Sequence, residues 1–349
     1  MRFSSLARLG PSYVALGVAL FGLLIPVPKV LSQGCVNARH LTLSLVSEGV
    51  WYLEPNEWDA FVSYRYLHSE TSFVGGDERP DLNAKLPWTT THSIDVGATY
   101  GITKRFSATL TFPFLSLEVS SIHQDAQRHV MSAGGLGDIR LVGNAWLLDP
   151  DKHGTENISL SLGVKAPTGD YRATDYYYLM DGSRILRPLG SNGQPGDGGW
   201  GIVTEVQAFA QIFKNTFVYA AGSYVINPRE QNGTETTDPV NPVLFSVPDQ
   251  YSGRVGLQYA VWPEKGLAVS FGGRIDGVPV HDLLGGSGGL RVAGYSVAVD
   301  PGVSWTWKKN AFTISTPVAV LRHDQKSILN NGTGVFADYL IMASYQRRF

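Results

Sequence analysis

The sequence predicts an all-β chain, a transmembrane antiparallel β-barrel of about twelve strands with short periplasmic turns and long extracellular loops. Three observations predict it. Apolar and polar residues alternate with a period of two along one segment after another. Short and long connections alternate between the segments, and the chain ends on an aromatic residue, Phe349, that closes the last of them.

The amino terminus reads as an export signal. Arg2 and Arg8 make it positive, and the run from Tyr13 to Ile25 is apolar and uncharged. That run is too short to span a bilayer comfortably and has the layout of a secretory signal peptide. Val30 and Ser32 offer small-residue cleavage positions that leave Gln33 first. The expected organisation is therefore a signal peptide over 1–32, an N-terminal periplasmic segment over 33–55 and the barrel over 56–349. Cys35 is the only cysteine, so no internal disulfide can form. Leu31 to Cys35 faintly resembles a lipoprotein signal, with Ser32 where leucine is usual; whether Cys35 is lipidated or free stays open.

The strands follow in order. Trp58, Ala60, Val62, Tyr64 and Tyr66 share one face, against Asp59, Ser63 and Arg65. Ile94, Val96, Ala98 and Tyr100 oppose Ser93, Asp95, Gly97 and Thr99, and Phe106, Ala108, Leu110 and Phe112 oppose Ser107, Thr109 and Thr111. Ile139, Leu141, Ala145 and Leu147 face away from Asp138, Arg140 and Asn144, and the clearest strand sets Ile158, Leu160, Leu162, Val164 and Ala166 against Ser159, Ser161, Gly163 and Lys165. Ile202, Val206, Ala208 and Ile212 oppose Glu205, Gln207 and Gln211, while Phe217 to Ile226 is a strand of unclear register. Val255, Leu257, Tyr259 and Val261 then oppose Ser252, Arg254, Gly256 and Gln258. Leu267, Val269, Phe271 and Ile275 oppose Ser270, Arg274 and Asp276; Tyr295, Val297, Val299, Val303 and Trp305 oppose Ser296, Asp300 and Ser304; Phe312, Ile314, Val318 and Val320 oppose Thr313 and Ser315. Counting back by twos from Phe349 meets Arg347, Tyr345, Ala343, Ile341 and Tyr339. This resembles the carboxy-terminal signature by which outer-membrane barrels are assembled, so Phe349 and Tyr345 are the expected assembly signal and the barrel-assembly machinery an expected partner. Arg347 departs from the apolar residue usual there, and at a membrane rim its charge can snorkel.

Short links fall at 101–105, 149–155, 214–215, 263–266 and 308–310, and long polar ones at 69–90, 120–137, 169–199, 227–249, 281–291 and 323–334. An even strand count with all short links on one rim puts both chain ends on the periplasmic side. Closure follows from the backbone, since hydrocarbon offers no partner to an open sheet edge. Outward aromatics such as Trp58, Tyr66, Tyr100, Trp305 and Trp307 then form interfacial girdles. The lipids of the bacterial outer membrane are the expected surroundings. Pro113, Pro301 and Pro317 stand against this pattern and call for bulges or rim positions, and Phe61, Trp146 and Phe209 put bulk on the polar wall, which implies either an apolar interior patch or a slipped register.

Composition removes other classes. The charged fraction is 17% and the net charge −2, with a sequence pI near 6.4 and a mean hydropathy of −0.04. There is no basic face for nucleic acid, and after the leader no apolar run approaches the ~20 residues of a membrane helix. Gly285-Gly286-Ser287-Gly288-Gly289 matches the letters of a nucleophile elbow, with His281 and Asp282 nearby, but lacks the strand before and helix after that the elbow requires. His123, Asp125 and His129 are too few and too loosely spaced for a metal site. No catalytic residue, metal or cofactor is expected.

A family resemblance rests on the middle of the chain. Gly135-Leu136-Gly137-Asp138 opens a strand, Gly163-Val164-Lys165-Ala166-Pro167-Thr168-Gly169-Asp170-Tyr171 leaves one, and Gly196-Asp197-Gly198-Gly199-Trp200-Gly201 enters the next. These strings resemble the outer-membrane family associated with the meta-pathway of phenol degradation. The resemblance covers the middle third by motif and the whole chain by layout. It implies a transporter of small organic, including aromatic, compounds, and carries over no substrate residue.

Eight charged residues fall on the polar faces: Asp95, Arg140, Lys165, Glu205, Arg254, Arg274, Asp276 and Asp300. Unpaired in a narrow barrel they would be costly, so they are expected to line the lumen, paired or in water. The expected function is passive diffusion of a small organic or hydrophobic solute through an outer-membrane channel. The alternatives are a non-conducting structural or adhesion barrel acting through its extracellular loops, an outer-membrane hydrolase, and a soluble sandwich.

Overall fold

The computed structural model describes residues 52–349. The expected signal peptide, Cys35 and all but the last few residues of the 33–55 segment lie outside the described residues.

The described chain is a closed antiparallel barrel of twelve staves. They are β1 (Trp58–Val74), β2 (Trp88–Gly101), β3 (Phe106–Ile122), β4 (Arg128–Leu136 and Arg140–Trp146), β5 (Glu156–Lys165) and β6 (Gly201–Phe213). The second half is β7 (Thr216–Ile226), β8 (Gln250–Trp262), β9 (Leu267–Val278), β10 (Ala293–Val299 and Gly302–Trp307), β11 (Asn310–Ser315 and Val318–Gln325) and β12 (Thr333–Arg348). Each stave pairs with the next, and β12 returns to β1 along a register running from Asp59↔Arg348 to Val74↔Thr333. The start of β1, the end of β12 and the short turns share one rim.

Side chains sort as the alternation predicts. Ser93 and Asp95 are buried inside, whereas Ile94 and Val96 are exposed outside. The outer face is continuous grease: Leu162 is 65% exposed and Phe271 63%. Burying such a side chain is worth about 1.5–3 kcal/mol, and a water-soluble monomer does not leave a belt of this kind uncovered. Lipid is the solvent that fits it. At the short-turn rim an aromatic girdle runs across three staves, with Trp305 stacked on Trp307 and on Phe312, and Phe312 beside Tyr345.

Pro113 faces a bulge as expected, since 137–139 stand opposite 112–113. Pro301 and Pro317 sit in neither bulge nor rim and interrupt ladders within the wall. In a strand a residue's N–H and C=O point to the same neighbour. The Pro113 carbonyl accepts from Gly137 N at 2.7 Å, so its missing donor faces β4, and β4 is broken at 137–139 opposite it. Pro301 accepts from Thr316 N at 3.1 Å and Pro317 from Leu340 N at 2.9 Å; β11 is broken at 316–317 opposite Pro301, and β10 at 300–301. The carbonyls beside each break still find donors, as a wall in lipid requires.

The bulky residues on the inner wall are an apolar patch, and the register does not slip. Phe209 is 2% exposed, and its ring meets Trp146 at 5.8 Å and Tyr52 at 6.3 Å. Tyr52, from the segment before β1, reaches the same cluster and donates its hydroxyl to the His153 carbonyl at 2.6 Å. Phe61 lies over Gly97, where any side chain would collide with its ring. The unclear register of β7 has a related cause, because Phe217, Tyr219, Ala221 and Val225 are all buried inward, so both of its faces are apolar.

Three long connections contain more structure than the sequence suggests. The 120–137 stretch is a hairpin that extends β3 and supplies the upper half of β4. Hairpins 174–188 and 231–246 stand in two other loops.

Candidate functional site: the wall clamp, the inner charges and the mouth

The three motif strings converge on the break in β4. Asp138, 2% exposed, accepts from Gly169 N at 3.0 Å and Asp197 N at 3.2 Å. Lys165 Nζ stands 3.7 Å from Asp138 and also pairs with Asp197. Thr168 closes the other side, donating to the Gly137 carbonyl at 2.7 Å while its hydroxyl oxygen accepts from Ile139 N at 2.9 Å. Glycines are required where strings touch, since a side chain at Gly169 would run into Gly196 and one at Gly198 into the Tyr171 ring. Arg229 and Arg172 both lie over that ring. The motif is thus a clamp that folds the 166–200 loop into the wall.

The eight inner charges all point inward, though not as one group. Arg254 pairs with Asp300 at 2.8 Å, with side chains only 3% and 1% exposed. Arg274 is held by both oxygens of Asp276, at 2.6 and 2.9 Å. Arg140 acts electrostatically on Glu205, and Asp95 accepts from Ser93 Oγ at 3.3 Å. Lys165 belongs to the clamp. The Arg274–Asp276 pair lies within one stave and the Arg254–Asp300 pair joins staves one apart, so both run along the wall.

The long loops are tied over the outer end by a buried polar centre. Arg291 pairs with Asp282 at 2.6 and 2.8 Å, both side chains fully buried, and also donates to Ser246 Oγ at 2.6 Å. Asp249 accepts from Asn227 N, Leu283 N and the Tyr224 hydroxyl. This arrangement disposes of the nucleophile-elbow letters. Asp282 is committed to Arg291, Ser287 Oγ accepts from Asp282 N at 2.9 Å, and His281 lies exposed.

His123, Asp125 and His129 do meet. His129 Nε2 lies 2.7 Å from Asp125, His129 stacks on Tyr178 at 3.9 Å and His123 on Tyr177 at 4.3 Å. His123 Nδ1 accepts from Tyr178 N at 3.1 Å. Burial first, then the neighbouring His129, lowers the His123 pKa from the ordinary imidazole value. The result is an aromatic joint between the 123–131 hairpin and the 174–188 hairpin. Among the described residues no three His, Cys, Asp or Glu side chains are placed to hold a metal.

Beneath the loops lies a cavity of about 380 Å³. Its floor is barrel wall, with Thr89, Val119 and Met131; its sides and roof come from the loops, with Leu86, Tyr177, Phe245 and Leu290. The size suits a small organic molecule, and a mostly apolar lining with a few polar groups is the usual character of such sites. Sequence reasoning missed this cavity because its lining comes from segments scattered from Leu86 to Val335.

No family model and no curated protein matches this chain. Solved structures do. The outer-membrane channel COG4313 from Pseudomonas putida F1 aligns with 87% of this chain and 100% of its own, at a TM-score of 0.58 and 13% identity. That likeness shows the fold: this chain is built as an outer-membrane channel barrel is built. The toluene transporter TodX of Pseudomonas putida aligns over 91% of this chain and 98% of its own at a TM-score of 0.42 and 9% identity. A FadL homologue from Pseudomonas aeruginosa aligns over 84% and 90% at 0.43 and 8%. These two share less of the fold. The neighbours named here as a channel and a transporter are not enzymes.

Proposed function

We propose that this protein is an outer-membrane channel through which small organic solutes with a substantial apolar part cross by passive diffusion, and that it performs no catalysis. The observation that carries the reading is the mouth cavity: an apolar chamber of about 380 Å³ at the loop end of a barrel whose inner wall is polar apart from the patches at Phe61, Phe209 and β7. A solute would leave water there by burying its apolar surface, and would then meet a wall on which Arg254 is paired with Asp300 and Arg274 with Asp276. On this reading Asp95, Arg140, Lys165, Glu205, Arg254, Arg274, Asp276 and Asp300 line the passage, and their mixed signs disfavour a strong cation or anion filter. Membership of the family associated with the meta-pathway of phenol degradation belongs to the same proposal, supported by the convergence of its three motif strings on one clamp.

Proteoliposome swelling tests the reading. Vesicles holding the full barrel should admit small neutral organic solutes well above the rate of empty vesicles, and single-channel recording should show conductance steps. Absence of both would leave a sealed structural barrel acting through its loops.

A further inference from the structure

The mouth cavity has a charge character that its apolar lining conceals. Among the described residues that line it, one is charged, Asp238, and none is basic. A second acid stands immediately behind the wall. Asp324 on β11 is 1% exposed, and its carboxyl group has no ionic or side-chain partner, only the neighbouring Gln325 backbone N–H favouring its charged form. It abuts Gly334 of the cavity wall; a side chain at Gly334 would collide with the Asp324 carboxylate, and Val292, another lining residue, touches the same spot. Only a glycine separates the carboxylate from the chamber.

Of the nearby bases, Arg128 is held by the carbonyls of Ser120, Ala84 and Leu86, and three others are paired with acids. Arg291 is paired with Asp282, Arg322 with Asp338 at 2.5 Å, and Arg187 with Glu235 at 3.3 Å as well as with the carbonyls of Thr236 and Thr237. Burial pushes the Asp324 carboxyl up to about 8, so at pH 7 it mostly keeps its proton, and a cation a few ångströms away in a poorly polarisable chamber would favour release of that proton and pair with the carboxylate so formed. A neutral guest of the same shape would not.

We propose that the cavity binds small apolar molecules bearing one primary ammonium group in preference to their neutral isosteres, the apolar part filling the chamber and the ammonium lying toward Gly334 and Asp238. This deepens the functional reading above and rests on the cavity being the solute's entry site. A charge pair at about 6 Å under an effective dielectric of roughly 20 supports a preference of at least about tenfold.

Equilibrium dialysis of the full barrel in a non-ionic detergent tests it, with cyclohexylmethylamine, cyclohexylmethanol and ethylcyclohexane as probes at pH 7. The amine should bind at least tenfold tighter than either neutral probe. Asp238→Asn, an exposed loop change, should shrink that ratio several-fold, and the double variant Asp238→Asn/Asp324→Asn should bring it within about twofold while neutral binding holds. Heat-modifiable gel mobility certifies that each variant is folded. Equal binding of amine and neutral probes by the unaltered protein, or a ratio untouched by Asp238→Asn, overturns the ammonium preference and leaves the entry site standing. If none of the three probes binds, the entry site falls and the preference with it.

Discussion

Asp138 shows how one side chain can decide a loop. Its carboxylate holds two backbone amides, from Gly169 and Asp197, and faces Lys165. Asp138→Ala strands two backbone donors while Lys165 keeps Asp197 as a partner, at a cost of about 1–3 kcal/mol. The unfolding free energy of the detergent-folded barrel, read from urea titration, should fall by that amount, and a Lys165→Met change in the same chain should cost less than the sum of the two single changes. An additive double variant would refute the clamp. His123 gives a pH dependence of determinate sign. Its imidazole is pushed below the ordinary value by burial and by His129, so the unfolded joint, titrating near 6.5, binds the proton first. Stability of the joint is then complete above about pH 6.5 and declines as pH falls below it. Hydrogen exchange across 123–131 and 174–178, corrected for intrinsic rates, should quicken between pH 7 and pH 5, and His123→Phe should flatten that response.

At the scale of the element, each strand is a compromise between its two neighbours. β1 and β2 pair Phe61 with Gly97, and the missing side chain on one makes room for the ring on the other. Gly97→Val should overpack the wall by about 1–3 kcal/mol, and Phe61→Ala should relieve the part due to the ring, the Leu110 carbonyl keeping the rest, both read from unfolding in detergent. A Gly97→Val penalty that Phe61→Ala does not reduce would mean that the ring is not what fills that space. Period-two alternation made most staves legible from their residues, from Ile94 to Tyr100 and from Ile158 to Ala166. It failed at β7, where Tyr219 and Phe217 face inward and erase the contrast. It failed also in the upper half of β4, where Gly134 and Gly135 remove side chains from the very positions that would have shown the period. The three prolines were visible as conflicts, but a break in a neighbouring ladder is a property of a pair of strands, which one strand's residues do not contain.

For the molecule as a whole, closure is the organising event, and its seam joins the last strand to the first. Phe349 N donates to the Trp58 carbonyl at 2.8 Å, while the Phe349 ring is 58% exposed with Arg347 over it. An exposed ring adds little to the closed barrel, so its work is expected to come earlier, in recognition by the barrel-assembly machinery. Deleting Phe349 should cut the amount of folded protein in the outer membrane several-fold and leave refolding into detergent micelles unchanged. Unchanged amounts in cells would remove Phe349 from that role. The candidate site was the least legible part of the molecule. The inner charges could be named because alternation assigns a face, whereas their partners could not, since Arg254 and Asp300 are joined only by the curvature of the wall.

The residues alone determined that strands would form, that they would carry one apolar face, and that a chain so patterned must close around a polar interior, because those conclusions need only local periodicity and the demand of every backbone group for a partner. Three-dimensional structure alone decided where the ladders break, which charges neutralise which, and that Leu86, Tyr177, Phe245 and Gly334 wall a single chamber beside Asp324. Those facts depend on which distant segments become neighbours once the sheet has curled, and distance along the chain says nothing about distance across a closed cylinder.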